Sequence, residues 1–259
     1  MGKIIQIVLI MCISTQALAI SNIESERPGM PDEGWTGHVE FGLDGKTGNS
    51  REQSYSGAAK ITNRQDKNIY LGILERAYGS TQNIKNTDEI FLHTRWTHML
   101  NTRWAAESFF QWEKNEFDNL ISRSLVGGGG RYVIAQNDKI FSLSAGLGVF
   151  REREVQDLGT YEETNWAWRL NTYTVYQHSL NDHVSFVAIA YYQPNTRDFD
   201  DYRALVDAAL SVKVTDSLDL KIHYNVKYDS QPARNLDANP PIDNYKTNTA
   251  YNTSLVYNF

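Results

Sequence analysis

Gly45-Lys46-Thr47 has the look of a phosphate-binding loop. Such a loop needs a glycine five residues before Gly45, where Glu40 stands, and a helix after it, where a strand pattern follows. A glycine-rich hairpin loop is therefore expected there. Gly127-Gly128-Gly129-Gly130 lacks a dinucleotide fingerprint. Four glycines in a strand strip the sheet of side chains, which permits a bend or the close approach of another group; a bend is expected. The histidines His38, His93, His98, His178, His183 and His223 invite a hydrolase reading. A Ser-His-acid set is assembled in space, however, and spacing alone assembles none here. The acids Glu152, Glu154, Asp157, Glu162, Glu163, Asp198, Asp200 and Asp201 fall in two polar stretches without calcium-loop spacing. They read as solvated, repulsive loop charges.

No catalytic residue, cofactor or metal site is assigned on these grounds. The single cysteine, Cys12, lies in an apolar leader, so disulfides, zinc thiolates and thiol catalysis are excluded from the mature chain. A net charge of −6 without a basic block argues against nucleic acid as a partner.

The elements that carry these residues follow two grammars. Residues 1–19 read as a cleaved signal peptide: Lys3, a mostly apolar stretch from Ile4 to Ile13, then Ala17-Leu18-Ala19. Residues 20–35 are turn-rich and read as a mobile periplasmic arm. From 36 to 259 the chain alternates apolar and polar, the period of a strand with one greasy face. In 202–214, Tyr202, Ala204, Val206, Ala208, Leu210, Val212 and Val214 share a face opposite Arg203, Asp207 and Lys213. Segments 218–228 and 245–259 repeat the pattern, and nine more follow at 36–46, 53–63, 67–78, 88–99, 103–114, 121–135, 139–153, 163–178 and 183–194. Connections at 63–66, 100–102, 135–138, 179–182 and 215–217 are short. Those at 79–87, 115–120, 154–162, 195–201 and 229–244 are longer, and 47–52 is short. Short turns on one rim and longer loops on the other describe a transmembrane barrel of the outer-membrane type. An even number of strands puts both barrel ends on the short-turn, periplasmic side.

The 31 aromatic residues fit this arrangement. Trp104 and Trp112 are eight residues apart, a rise of roughly 20 Å in a strand tilted by about 40°. That approaches the apolar band of about 25 Å, so the two mark opposite girdles. Trp166 and Trp168 are placed at the outer girdle and Tyr176 at the inner one. The opposite, polar faces predict a lumen lined by Glu40, Arg95, Arg103, Glu107, Glu113, Arg169, Asp207, Lys213, Lys221, His223, Lys227 and Lys246. A wet interior tolerates these charges, whereas Lys or Arg on the lipid face at mid-depth costs about 2–4 kcal/mol. Twelve strands lie between the filled eight-stranded and open sixteen-stranded barrels, so patency stays open.

Five segments carry a family resemblance: Gly45 to Ser50, Gly127 to Tyr132, Gly146 to Phe150, Tyr228 to Pro232, and Asn244 to Phe259. With them the chain resembles the uncharacterised family of salt-induced outer-membrane proteins. The resemblance implies location and architecture and brings no catalytic residues. The expectation is an all-β, twelve-stranded antiparallel barrel in the bacterial outer membrane, in contact with its lipid and lipopolysaccharide. Tyr257 and Phe259, closing an alternating apolar strand, read as the signal for the barrel assembly machinery. The function expected is a narrow passive pore for small solutes or ions. The alternatives are a closed barrel supporting the envelope under osmotic or salt stress and, behind it, a barrel hydrolase.

Overall fold

The computed structural model describes residues 31, 33–46, 51–137, 140–236 and 242–258. The expected signal peptide, most of the N-terminal arm, and Phe259 lie outside the described residues. Twelve long antiparallel strands close into a barrel in the order β1-β14-β11-β10-β9-β8-β7-β6-β5-β4-β3-β2. They are β1 (Gly34–Lys46), β2 (Glu52–Gln65), β3 (Asn68–Thr81), β4 (Ile84–Met99), β5 (Trp104–Asn115) and β6 (Leu120–Asn137). The second half is β7 (Phe141–Asp157), β8 (Glu162–Asn181), β9 (Val184–Pro194), β10 (Tyr202–Lys213), β11 (Leu218–Asp229) and β14 (Thr247–Asn258). A two-stranded hairpin, β12 (Arg234–Asn235) with β13 (Ile242–Asp243), sits in the connection before β14.

The strands arise from the alternation. In β4 the odd-numbered Glu89, Phe91, His93, Arg95 and Thr97 are buried inside the barrel, while Trp96 faces out. The outer surface carries Phe41, Ile61, Leu74, Phe110, Val126, Leu147, Val206, Ile222 and Leu255, all exposed. This inversion, charge within and apolar residues without, suits a barrel whose solvent is lipid. Aromatic pairs flank it: Trp104 with Tyr132 at the rim that carries Gly34 and Asn258, and the Tyr192–Tyr202–Tyr228 chain at the opposite rim. We call these the inner and outer rims.

Three expectations about the elements are corrected. β1 begins at Gly34, inside the segment assigned to the arm. The long connection expected at 79–87 is a tight hairpin: β3 and β4 pair as far as Thr81↔Ile84, and only Gln82 and Asn83 turn the chain. Both have positive φ, 52° and 65°, as a primed two-residue turn requires. β7 and β8 also run on, pairing to Asp157↔Glu162. These strand ends stand beyond the apolar band, where lipid no longer enforces alternation, so their polar composition looked like loop.

Ring closure is the least extensive junction. Among the described residues β1 and β14 pair only from His38↔Asn258 to Phe41↔Leu255.

Candidate functional site

The inward faces of β5 to β11 converge near the outer rim on a layer of paired charges. Glu152 of β7 is its hub. Its carboxylate accepts from Arg123 Nε at 2.9 Å, from Arg169 Nε at 2.5 Å and from Arg203 Nη1 at 2.9 Å. Arg123 also donates to Glu113 at 2.7 Å, and Arg203 to Glu154 at 2.7 Å and to Asp229 at 2.9 Å. Arg169 reaches Asp201 of the β9–β10 connection at 2.9 Å. The guanidinium fork suits this role because it offers several fixed donors and keeps its charge. Side-chain exposure of the three arginines is 2–6%, so the layer occludes the lumen at this level. The Arg203–Glu152 pair spans from β10 to β7, across two intervening strands.

Beneath this layer the lumen is filled by rings and aliphatic side chains. Phe91, His93 and Phe109 stack in series at 6.3 and 6.1 Å, and Phe109 meets Phe150 edge-on at 6.4 Å. Phe109 and Phe150 belong to β5 and β7. They meet over Gly127 of β6, where a Cβ would lie 2.5 Å from Phe150 Cβ and 2.8 Å from Phe109 Cζ. On the other wall Tyr173, Val175, Ile189, Tyr191 and Leu205 form a buried cluster. Tyr173 lies against Gly146, whose missing side chain leaves room for the ring, and donates to Glu107 at 2.7 Å. The glycines thus admit rings into the lumen.

A third layer lies nearer β1 and is looser. His223 contacts Asp207, which also accepts from Asn225 at 2.9 Å. Lys221 stands 3.6 Å from Glu40. Side-chain exposure here is 24% for His223, 17% for Glu40 and 12% for Lys221.

Among the described residues of the connection before β14, Leu236 N donates to Leu158 O of the β7–β8 turn at 3.2 Å. Leu158 and Ala233 are both buried.

Of the residues expected to line the lumen, Glu40, Arg95, Glu107, Glu113, Arg169, Asp207, Lys221, His223 and Lys227 lie on inward faces. Arg95 stands 3.4 Å from Glu107, with its guanidinium over the Phe109 ring. Three sit elsewhere. Arg103 occupies the β4–β5 turn, Lys213 ends β10 and pairs at 2.9 Å with the turn residue Asp216, and Lys246 is exposed just before β14. Alternation placed them correctly by parity, but the strands end before the charges can enter the lumen. The acids Glu152, Glu154 and Asp201, read as solvated loop charges, are instead members of the paired layer. Arg123, Arg203 and Asp229 belong to it as well and were not assigned to the lumen by pattern. Tyr257 faces outward and is exposed.

Among the histidines, His98 contacts Asn68 Oδ1 at 2.9 Å and His178 contacts the Tyr176 hydroxyl at 2.7 Å. For His223, Asp207 is the hydrogen-bond partner. Among the described residues no group of three His, Cys, Asp or Glu side chains converges to hold a metal.

A closed antiparallel cylinder with charges inside and an aromatic-rimmed apolar exterior is a transmembrane β-barrel of the outer-membrane type. The family model "Protein of unknown function, DUF481" matches residues 39–259, and the chain belongs to that family. The translocator domain of the autotransporter NalP from Neisseria meningitidis superposes with a TM-score of 0.51 at 11% identity, over 88% of this chain and 90% of that one. The NanC porin gives 0.48 at 12% identity, over 86% and 98%. The KdgM porin in complex with disordered oligogalacturonate gives 0.45 at 12%, over 87% and 99%. No curated protein matches.

Proposed function

We propose that this chain is a bacterial outer-membrane barrel that is closed at rest and serves the envelope as a structural element. One observation carries the reading: the Arg123–Arg169–Arg203 layer, nearly sealed from solvent and bonded from β5 to β11. A passive pore needs a continuous wet path. Here each inward charge of that layer is matched by another side chain, and below it rings and aliphatic side chains pack against one another. Filled interiors are usual for small barrels, and the glycines of β6 and β7 bring a twelve-stranded one to the same condition.

A narrow, gated pore for ions stands second. It is favoured by the looser Glu40–Lys221–His223 wall, whose inward charges are more accessible than the three layer arginines. In that reading the paired layer is the gate and these residues select. A hydrolase is the weakest reading, because only one His–acid contact, His223 with Asp207, is found on the inward face among the described residues. Tyr257 and Phe259 are kept as the proposed signal to the assembly machinery.

Single-channel recording in a planar bilayer tests the reading, on protein whose folding is verified by a heat-dependent gel shift. Folded protein that stays silent supports the closed barrel. Discrete conductance steps in most insertions overturn it and favour the pore.

A further inference from the structure

The three arginines of the paired lumen layer, Arg123, Arg169 and Arg203, all have carboxylate partners. Two on the outside do not. Arg151 and Arg153 of β7 alternate with the inward Glu152 and Glu154, so they project from the lipid-facing wall. Among the described residues neither makes an ion pair. What they meet is tryptophan: the Arg151 guanidinium lies 4.6 Å from the Trp166 ring centroid and 6.0 Å from that of Trp168, and Arg153 lies 6.0 Å from Trp166. The contacts follow from register, which pairs Arg151 with Trp168 and Arg153 with Trp166. On the other side Arg151 pairs with Val126 of β6, which pairs with Phe110 of β5. Val126 and Phe110 are exposed, as are Trp166 and Trp168.

Two cations in an apolar surround call for an anion. The ring faces attract guanidinium and hold it against the wall, but they supply no counter-charge. Depth identifies where the anion comes from. β7 has 17 residues, which rise about 43 Å at a tilt of about 40°, against an apolar band of about 25 Å. Its excess stands beyond the outer rim. Arg153 and Arg151 lie four and six residues below its end, roughly 10 and 15 Å down, where the band gives way to headgroups. Tryptophan is at home at that level.

We propose that Arg151, Arg153, Trp166 and Trp168 form a binding site for the phosphate of an outer-leaflet glycolipid. The guanidinium pair receives the phosphate in charge-assisted, fork-like hydrogen bonds. The tryptophans hold the guanidiniums in place and pack on the sugar or the first acyl carbons. The site rests on the outer-membrane reading above, and it uses none of the lumen residues.

The experiment is native mass spectrometry of the folded full-length protein with diphosphorylated lipid A, dephosphorylated lipid A and phosphatidylcholine. The wild type should retain diphosphorylated lipid A and lose it at least tenfold in R151Q/R153Q. The charge-conserving R151K/R153K should fall between them. Dephosphorylated lipid A and phosphatidylcholine should bind weakly and equally to all three proteins. Inorganic phosphate at millimolar concentration should not displace the lipid; full displacement would define a free-anion site and overturn the lipid assignment. Undiminished lipid A binding by folded R151Q/R153Q, or equal retention of the dephosphorylated form, would also overturn it. Folding of each variant is read from the heat-dependent gel shift. A protein that fails to insert into bilayers at all would count against the outer-membrane reading instead, because insertion is scored separately from lipid retention.

Discussion

Tyr173 of β8 donates a 2.7 Å hydrogen bond to Glu107 of β5, and its ring occupies the space that a side chain at Gly146 would fill. β6 and β7 lie between these strands in the sheet, so the bond crosses the lumen. It ties the wall of glycines to the wall of charges.

Gly146→Ala should therefore act through Tyr173. The added Cβ overlaps the ring, and repacking costs about 1–3 kcal/mol, typical of overfilled cores. Urea unfolding of the detergent-folded protein measures it. In the background of Tyr173→Ala the same change should cost far less, because the two residues share one space. Equal costs in both backgrounds would show that the glycine matters for backbone curvature alone.

Glu152→Gln removes the hub's charge and leaves three arginines with fewer acceptors. Breaking a buried ion pair by neutralising one partner costs about 3–5 kcal/mol. Lys213→Ala, which breaks an exposed rim pair with Asp216, should leave stability nearly unchanged. The unfolding midpoints of the two variants, compared with wild type, check the contrast.

Opening the layer should also be electrically visible. Replacing Arg203 and Arg169 together by alanine removes the bonds that join Glu152 to the β8 and β10 walls. Bilayer recordings of the folded double variant should show conductance steps absent from wild type. Shortening 231–244 to a brief glycine-rich turn should have a smaller effect, because it leaves the Arg–Glu bonds of the paired layer intact.

Asn83→Gly should stabilise the β3–β4 hairpin. Asn83 holds a φ of 65°, which glycine adopts without a Cβ penalty. A gain of about a few tenths of a kcal/mol is expected in thermal or urea unfolding, the relief of the left-handed penalty being partly offset by the entropy glycine adds to the unfolded chain.

Much of this architecture was legible because lipid imposes a simple rule. Residues 202–214 could not alternate as they do without one face in an apolar solvent, and β10 follows that segment closely. The rule fails where lipid ends. Ser80, Thr81, Lys85 and Asn86 look like loop residues, yet they belong to a tight hairpin beyond the band. It fails again at β7, where Arg151, Glu152, Arg153 and Glu154 put charge on both faces and erase the period. The paired layer was illegible for another reason. Arg203 and Glu152 lie in strands separated by two others, and no spacing along the chain announces a contact across a lumen. The four-glycine run showed that something was accommodated, without showing that the occupants were Phe109 and Phe150.

The short β1–β14 junction bears on how the molecule is made. The other eleven junctions join strands that follow one another along the chain, so each can close as a local hairpin. His38 and Asn258 are more than two hundred positions apart. Their pairing waits for the final strand, and contacts of such sequence separation form slowly. Until then both edges present unpaired backbone groups, open to pairing with another chain. Of all the junctions in the molecule, this one is expected to set the rate at which native protein appears.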